Sequence, residues 1–74
     1  MEEKTLSELL YEDRISKNLS VVAYAVKIGI ATTIVSQIIA KTYNKKLQPR
    51  VIGKIAKELN LSSQEVLKAY QKQL

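Results

Sequence analysis

Tyr24-Ala25-Val26-Lys27-Ile28-Gly29-Ile30 carries a helical apolar stripe into a single glycine, and a second helical pattern starts at once beyond it. A glycine at that point ends the first helix by adopting a positive φ without a Cβ penalty. The pattern predicts two short helices hinged at Gly29. The whole chain holds only two glycines and one proline, too few breakers for a β-rich architecture, so the expected class is all-α. Its 74 residues allow one domain, residues 1–74, which buries somewhat more than about 60% of its unfolded surface.

Residue chemistry narrows the function next. The chain has no cysteine and no histidine, which removes a disulfide framework, a thiolate metal site, the usual general base and the commonest neutral metal ligand. A non-enzymatic protein is expected, with no cofactor, no metal and no small-molecule ligand. Met1-Glu2-Glu3-Lys4 has no basic region leading into an apolar run, unlike a secretory signal, so the cytoplasm is the expected compartment. The net charge of +5 is unevenly spread. Residues 1–13 hold one lysine against five acids, a balance of −4, and residues 14–74 hold eleven basic against two acidic groups, +9. That asymmetry suits a basic body facing a polyanion, although an ordinary solvated surface would look the same.

Capping signals divide the chain into five helices, at about 5–16, 20–28, 31–41, 49–59 and 62–73. Thr5-Leu6-Ser7-Glu8 has capping-box spacing, and Leu6, Leu9 and Leu10 give the first helix an apolar face. Ser16-Lys17-Asn18 reads as its end. Ser20 is the expected N-cap of the second helix, which is apolar nearly all round except at Lys27 and should therefore be wedged among the others. Pro49 suits the first turn of the fourth helix, striped by Val51, Ile52, Ile55, Ala56 and Leu59. Asn60 closes it in a left-handed conformation. Ser62-Ser63-Gln64-Glu65 then opens a fifth helix striped by Val66, Leu67, Tyr70 and Leu74.

The third helix sorts cleanly at 100° per residue. Thr32, Thr33, Ser36 and Gln37 share one arc, and Ile34, Val35, Ile38 and Ile39 fill the opposite one. Docked by its apolar arc, it turns outward a row of short uncharged hydrogen-bonding groups, a surface that can approach base edges closely. A routine amphipathic surface helix is the alternative. Two helices hinged at a glycine form a helix-turn-helix, which lays its second helix in the DNA major groove, and that context favours the first reading. Lys41 borders the polar row. The connection from Thr42 to Arg50 adds Lys45, Lys46 and Arg50 with no acid, a flexible cationic loop suited to neutralising phosphates, or else a solubilising one.

From about Leu19 to Leu67 these residues resemble the lambda-repressor-like (Cro/XRE-type) helix-turn-helix proteins of phages, plasmids and bacterial genomes. Leu19-Ser20 looks like the family's opening of helix two, Ala25 and Gly29 like its small hinge residue and turn glycine, and Ile30, Val35 and Ile38 like core positions. Pro49 through Leu67, with Ile55-Ala56-Lys57-Glu58-Leu59-Asn60-Leu61-Ser62, is similar to helix four and its run into helix five. The resemblance implies a compact five-helix lambda-repressor-like domain acting as a sequence-specific double-stranded DNA-binding transcriptional regulator of repressor type, bound to its operator as a homodimer. It implies base contacts from Thr32, Thr33, Ser36 and Gln37, and phosphate contacts from Ser20, Lys27, Lys41, Lys45, Lys46 and Arg50. Five such cations give a salt slope near −4 to −5 per half-site.

Three features depart from the family pattern. Val21 stands where many relatives have a bracing glutamine, and it can make no side-chain hydrogen bond. Ala31 stands near the N-cap of the reading helix, at a cost of roughly 1 kcal/mol unless Thr32 takes the cap over. No arginine lies on the polar face to read guanine bidentately, so specificity rests on Gln37 toward adenine and on threonine methyls toward thymine.

Other readings stay open. Leu19 to Ala40 is 22 residues long with Lys27 as its only charge, but that lysine and the polar residues after Gly29 oppose a membrane span. A protein-binding module on the same scaffold, an antagonist or accessory regulator of another protein, is motivated by Val22 and Val26, on a flank that the five-helix core leaves partly uncovered; the alternative is that helix one or the C-terminal tail covers it. Tyr70 and Leu74, or that valine flank, are the expected dimer seam. Tyr11, Tyr24, Tyr43 and Tyr70 read as core edges and loop packing rather than as a stacking platform for single strands.

Overall fold

The first, second and fifth helices start where a side chain satisfies open backbone amides. In the computed structural model, which describes residues 4–74, α1 spans Leu6–Ser16, α2 Val21–Ile28, α3 Thr32–Ile39, α4 Pro49–Leu59 and α5 Ser63–Gln71. No strand occurs among the described residues. Glu2 and Glu3 of the acidic segment, and Met1 to Glu3 of the leader reading, lie outside them. Thr5 with Glu8 and Ser62 with Glu65 form complete capping boxes at α1 and α5, each satisfying two amides reciprocally. Ser20 caps α2 through the Ala23 amide at 3.1 Å.

The C-termini of α1, α2, α3 and α4 turn through left-handed residues, which let the next amides close back on the last carbonyls. Gly29 (φ 89°) ends α2, and Asn60 (φ 58°) ends α4. α3 stops two residues earlier than its periodicity suggests. Lys41 takes φ 63°, and the amides of Thr42 and Tyr43 both donate to the Gln37 carbonyl, at 2.9 and 3.2 Å. Lys41 therefore lies beyond the helix, off the polar row it was expected to border.

The core gathers Leu6 and Leu10 of α1, Tyr24, Ala25 and Ile28 of α2, Val35 and Ile38 of α3, Ile52 and Ile55 of α4, and Val66 and Tyr70 of α5. The result is a compact all-α domain with a radius of gyration of 11.0 Å. α1 lies on α3 and touches α4 and α5, α4 packs on α5, and α2 rests on α3 and α4. Because its neighbours meet α2 from one side, the second helix is not wedged among the others. Val22 and Val26 stay 60% and 75% exposed. No single described helix is long and apolar enough to cross a membrane, and the run from Leu19 to Ala40 is bent by 117° between α2 and α3.

Candidate nucleic-acid interface

The corner is built by Gly29, Ile30 and Ala31. The amides of Gly29 and Ile30 both donate to the Ala25 carbonyl, at 2.8 and 3.1 Å, and this closes α2 while the chain swings toward α3. The 117° between the helices and the three-residue link have helix-turn-helix geometry. Lys54 of α4 reinforces the corner. Its Nζ donates to the Gly29 carbonyl at 2.8 Å, placing a cation at the negative end of α2. Sequence periodicity missed it, because Lys54 reads as one more solvated residue on α4.

α3 sits on α1 and α2 with Val35 and Ile38 buried and Ile34 and Ile39 half-buried. Thr33, Ser36 and Gln37 are exposed on the other side, and Thr32 is half-buried at the helix start. The structure thus brings the four expected base-facing residues onto one short helix, three of them open to solvent. Ala31 is the N-cap and supplies no side-chain bond, so Thr32 does not take over as the cap. α4 likewise starts from Gln48 without a side-chain cap. The first amides of both helices therefore keep their partial positive charge toward solvent.

The expected phosphate contacts divide. Lys45, Lys46 and Arg50 are exposed and form no ion pair among the described residues. Lys27 is already engaged, its Nζ 2.9 Å from Glu58 Oε2, because α2 and α4 lie side by side. Lys41 lies close enough to Glu8 to help hold that carboxyl below the usual range, after the larger contribution from hydrogen bonds with Thr5. Ser20 uses its hydroxyl oxygen to cap α2.

The connection from Thr42 to Gln48 is pinned from beneath rather than free-hanging. Leu47 is buried, and the Tyr70 hydroxyl donates to the carbonyls of Lys45 and Tyr43, the latter at 3.2 Å. Tyr43 leans on the Tyr70 ring at 6.2 Å between centroids. Tyr70 is only 3% exposed, which corrects its assignment to a dimer seam; its role is to hold the cationic loop. Leu74 is 68% exposed and remains available. A second support lies at the far end of α3. Gln73 accepts from the Ser7 amide at 2.8 Å and donates to the Ile38 carbonyl at 3.1 Å, while the Ser7 hydroxyl donates to the Ile39 carbonyl. The Ser7 bond satisfies a terminal α3 carbonyl, and Gln73 adds a second donor to the Ile38 carbonyl, which also accepts from the Lys41 amide at 3.1 Å.

α1, α2 and α4 are joined by a charged chain. The Tyr24 hydroxyl donates to Asp13 at 2.7 Å, Lys17 bridges Asp13 and Glu58, and Lys27 also reaches Glu58. Hydrogen bonds from Lys17 and then Lys27 hold the Glu58 carboxyl below the ordinary glutamate range. Burial, then the bond to Asp13, pushes the Tyr24 phenol up. Among the described residues, no three His, Cys, Asp or Glu side chains group as metal ligands would. No protein-family model matches the chain, and neither a curated protein nor a solved structure does.

Proposed function

We propose that this chain is a sequence-specific double-stranded DNA-binding regulator of repressor type that occupies an operator in the cytoplasm through α3, as a homodimer. The observation that carries the reading is the exposed row of Thr33, Ser36 and Gln37 on the second helix of a 117° corner, followed by a pinned loop whose Lys45 and Lys46, with Arg50, have no acidic partner among the described residues. Short hydroxyl and carboxamide groups on a convex helix reach base edges, and exposed cations neutralise phosphates. The resemblance to lambda-repressor-like proteins supports the same assignment.

The test is a fluorescence titration of the free protein against duplex from the upstream region of its own gene and against random duplex, with a mass measurement of its oligomeric state. Preference for the upstream duplex is expected, and Gln37→Ala is expected to cost about 1–3 kcal/mol on it while barely changing random binding. Equal losses on both would remove Gln37 from sequence reading. No binding to either would leave the alternative, a protein-binding module, which the uncovered Val22 and Val26 favour.

A further inference from the structure

Two features outside the polar row of α3 meet at α2, where Lys27 follows Val26 in the chain. One is the Val22 and Val26 stripe, 60% and 75% exposed, one helical turn apart. The other begins at the next residue. Lys27 lines a surface depression of about 510 Å³ together with Lys17, Lys54, Lys57 and Glu58, four lysines against Glu58 and the Asp13 that also holds Lys17. Lys17 and Lys27 share Glu58, and Lys54 is held by the Gly29 carbonyl. Lys57 is exposed and forms no ion pair among the described residues. The lysines are thus held in place and incompletely neutralised, beside an apolar strip with no cover.

We propose that the Val22 and Val26 stripe and the adjoining lysine depression form one docking surface for an acidic amphipathic helix of a partner protein. Valines need an apolar stripe opposite them, and a carboxylate row along its flank would meet Lys57, a lysine of the depression that no acid holds among the described residues; an acidic amphipathic helix presents both at once. Phosphodiesters match only half of this surface, because they offer nothing to the valines. A second copy of the chain would bring two lysine depressions to one seam, where like charges oppose association. The surface uses none of the residues of the polar row of α3, so the inference holds whether or not α3 reads DNA.

Its test uses the full chain and a fluorescein-labelled, helix-stapled peptide with leucines at i, i+3, i+4 and i+7 and glutamates along one flank, read by fluorescence anisotropy. A control peptide carries glutamine at every glutamate position. The acidic peptide is expected to bind about tenfold or more tightly than the control, and Val26→Ser and Lys57→Glu are each expected to weaken it about tenfold. Both positions are exposed, and circular dichroism checks that both variants keep the helical fold. Failure of the acidic peptide to bind, equal binding of the control, or indifference to both substitutions would overturn the proposal. So would displacement of the peptide by random duplex DNA with loss of DNA binding in Lys57→Glu, which would make the depression a phosphate site. Sedimentation of a dimer that Val26→Ser converts to monomer would instead give the stripe to a second copy.

Discussion

Ala31 and Gly29 lie one and three positions before the start of α3, yet they pull on the corner in opposite directions. Ala31 leaves the first amides of α3 without a side-chain acceptor, and Ala31→Ser is expected to supply one and raise stability by about 1 kcal/mol. Gly29 sits at φ 89°, where a Cβ is strained and would also come within 3.0 Å of Lys54 Nζ. Gly29→Ala is expected to lower stability by about 1–2 kcal/mol. Urea denaturation of both variants checks the pair, and a loss in Ala31→Ser would show that the bare helix end is filled by something other than solvent. Both effects were legible in the chain itself, because cap chemistry and positive φ depend on the few residues around one peptide unit. The fate of Lys27 was not. Its spacing on α2 is compatible with a phosphate contact, and only the tertiary placement of α4 brings Glu58 to it.

Helices were legible wherever a cap and a stripe coincided, as at Thr5 with Glu8, Pro49 and Ser62 with Glu65. What periodicity could not supply was the set of long-range bonds that fix one helix to another, since a glutamine at the chain end or a serine in α1 carries no local sign of its partner. Ser7 and Gln73 at α3 are of this kind, and so is Tyr70 beneath the cationic loop. Glu58 gives the clearest test. Its carboxyl is held low by Lys17 and Lys27, so its contribution to stability is complete above the ordinary glutamate range and is lost as pH falls through the depressed folded value. Glu58→Gln is expected to lower stability at neutral pH by a modest amount, because its lysine partners are solvent-exposed and such surface pairs are worth about 0–1 kcal/mol each. The difference between the two proteins should shrink on acidification below about pH 4.5. Thermal denaturation across pH 3–7 measures this; a difference that grows toward low pH would mean that Glu58 acts through its neutral form.

The charge of the molecule as a whole decides how strongly it should answer to salt. The sequence carries an excess of cations over residues 14–74, but the fold spends several of them internally: Lys17 and Lys27 on Glu58, Lys54 on the Gly29 carbonyl. Three exposed cations without ion pairs, Lys45, Lys46 and Arg50, remain beside α3 among the described residues, with Lys41 near Glu8 as a fourth. Counterion release scales with phosphates neutralised, so log affinity for duplex DNA should fall against log salt with a slope of about −3 to −4 per protomer, shallower than five cations would give. Replacing Lys45 and Lys46 together by alanine removes two of these without disturbing the carbonyls that Tyr70 holds. The slope is then expected to drop by about two, with specific and random duplexes weakened alike, because a backbone contact carries no sequence information. Titrations at 50, 100 and 200 mM salt resolve a change of that size. An unchanged slope would mean that the polyanion is gripped elsewhere, and the lysine depression between α2 and α4 would be the first place to look, since Lys57 there is exposed and forms no ion pair among the described residues.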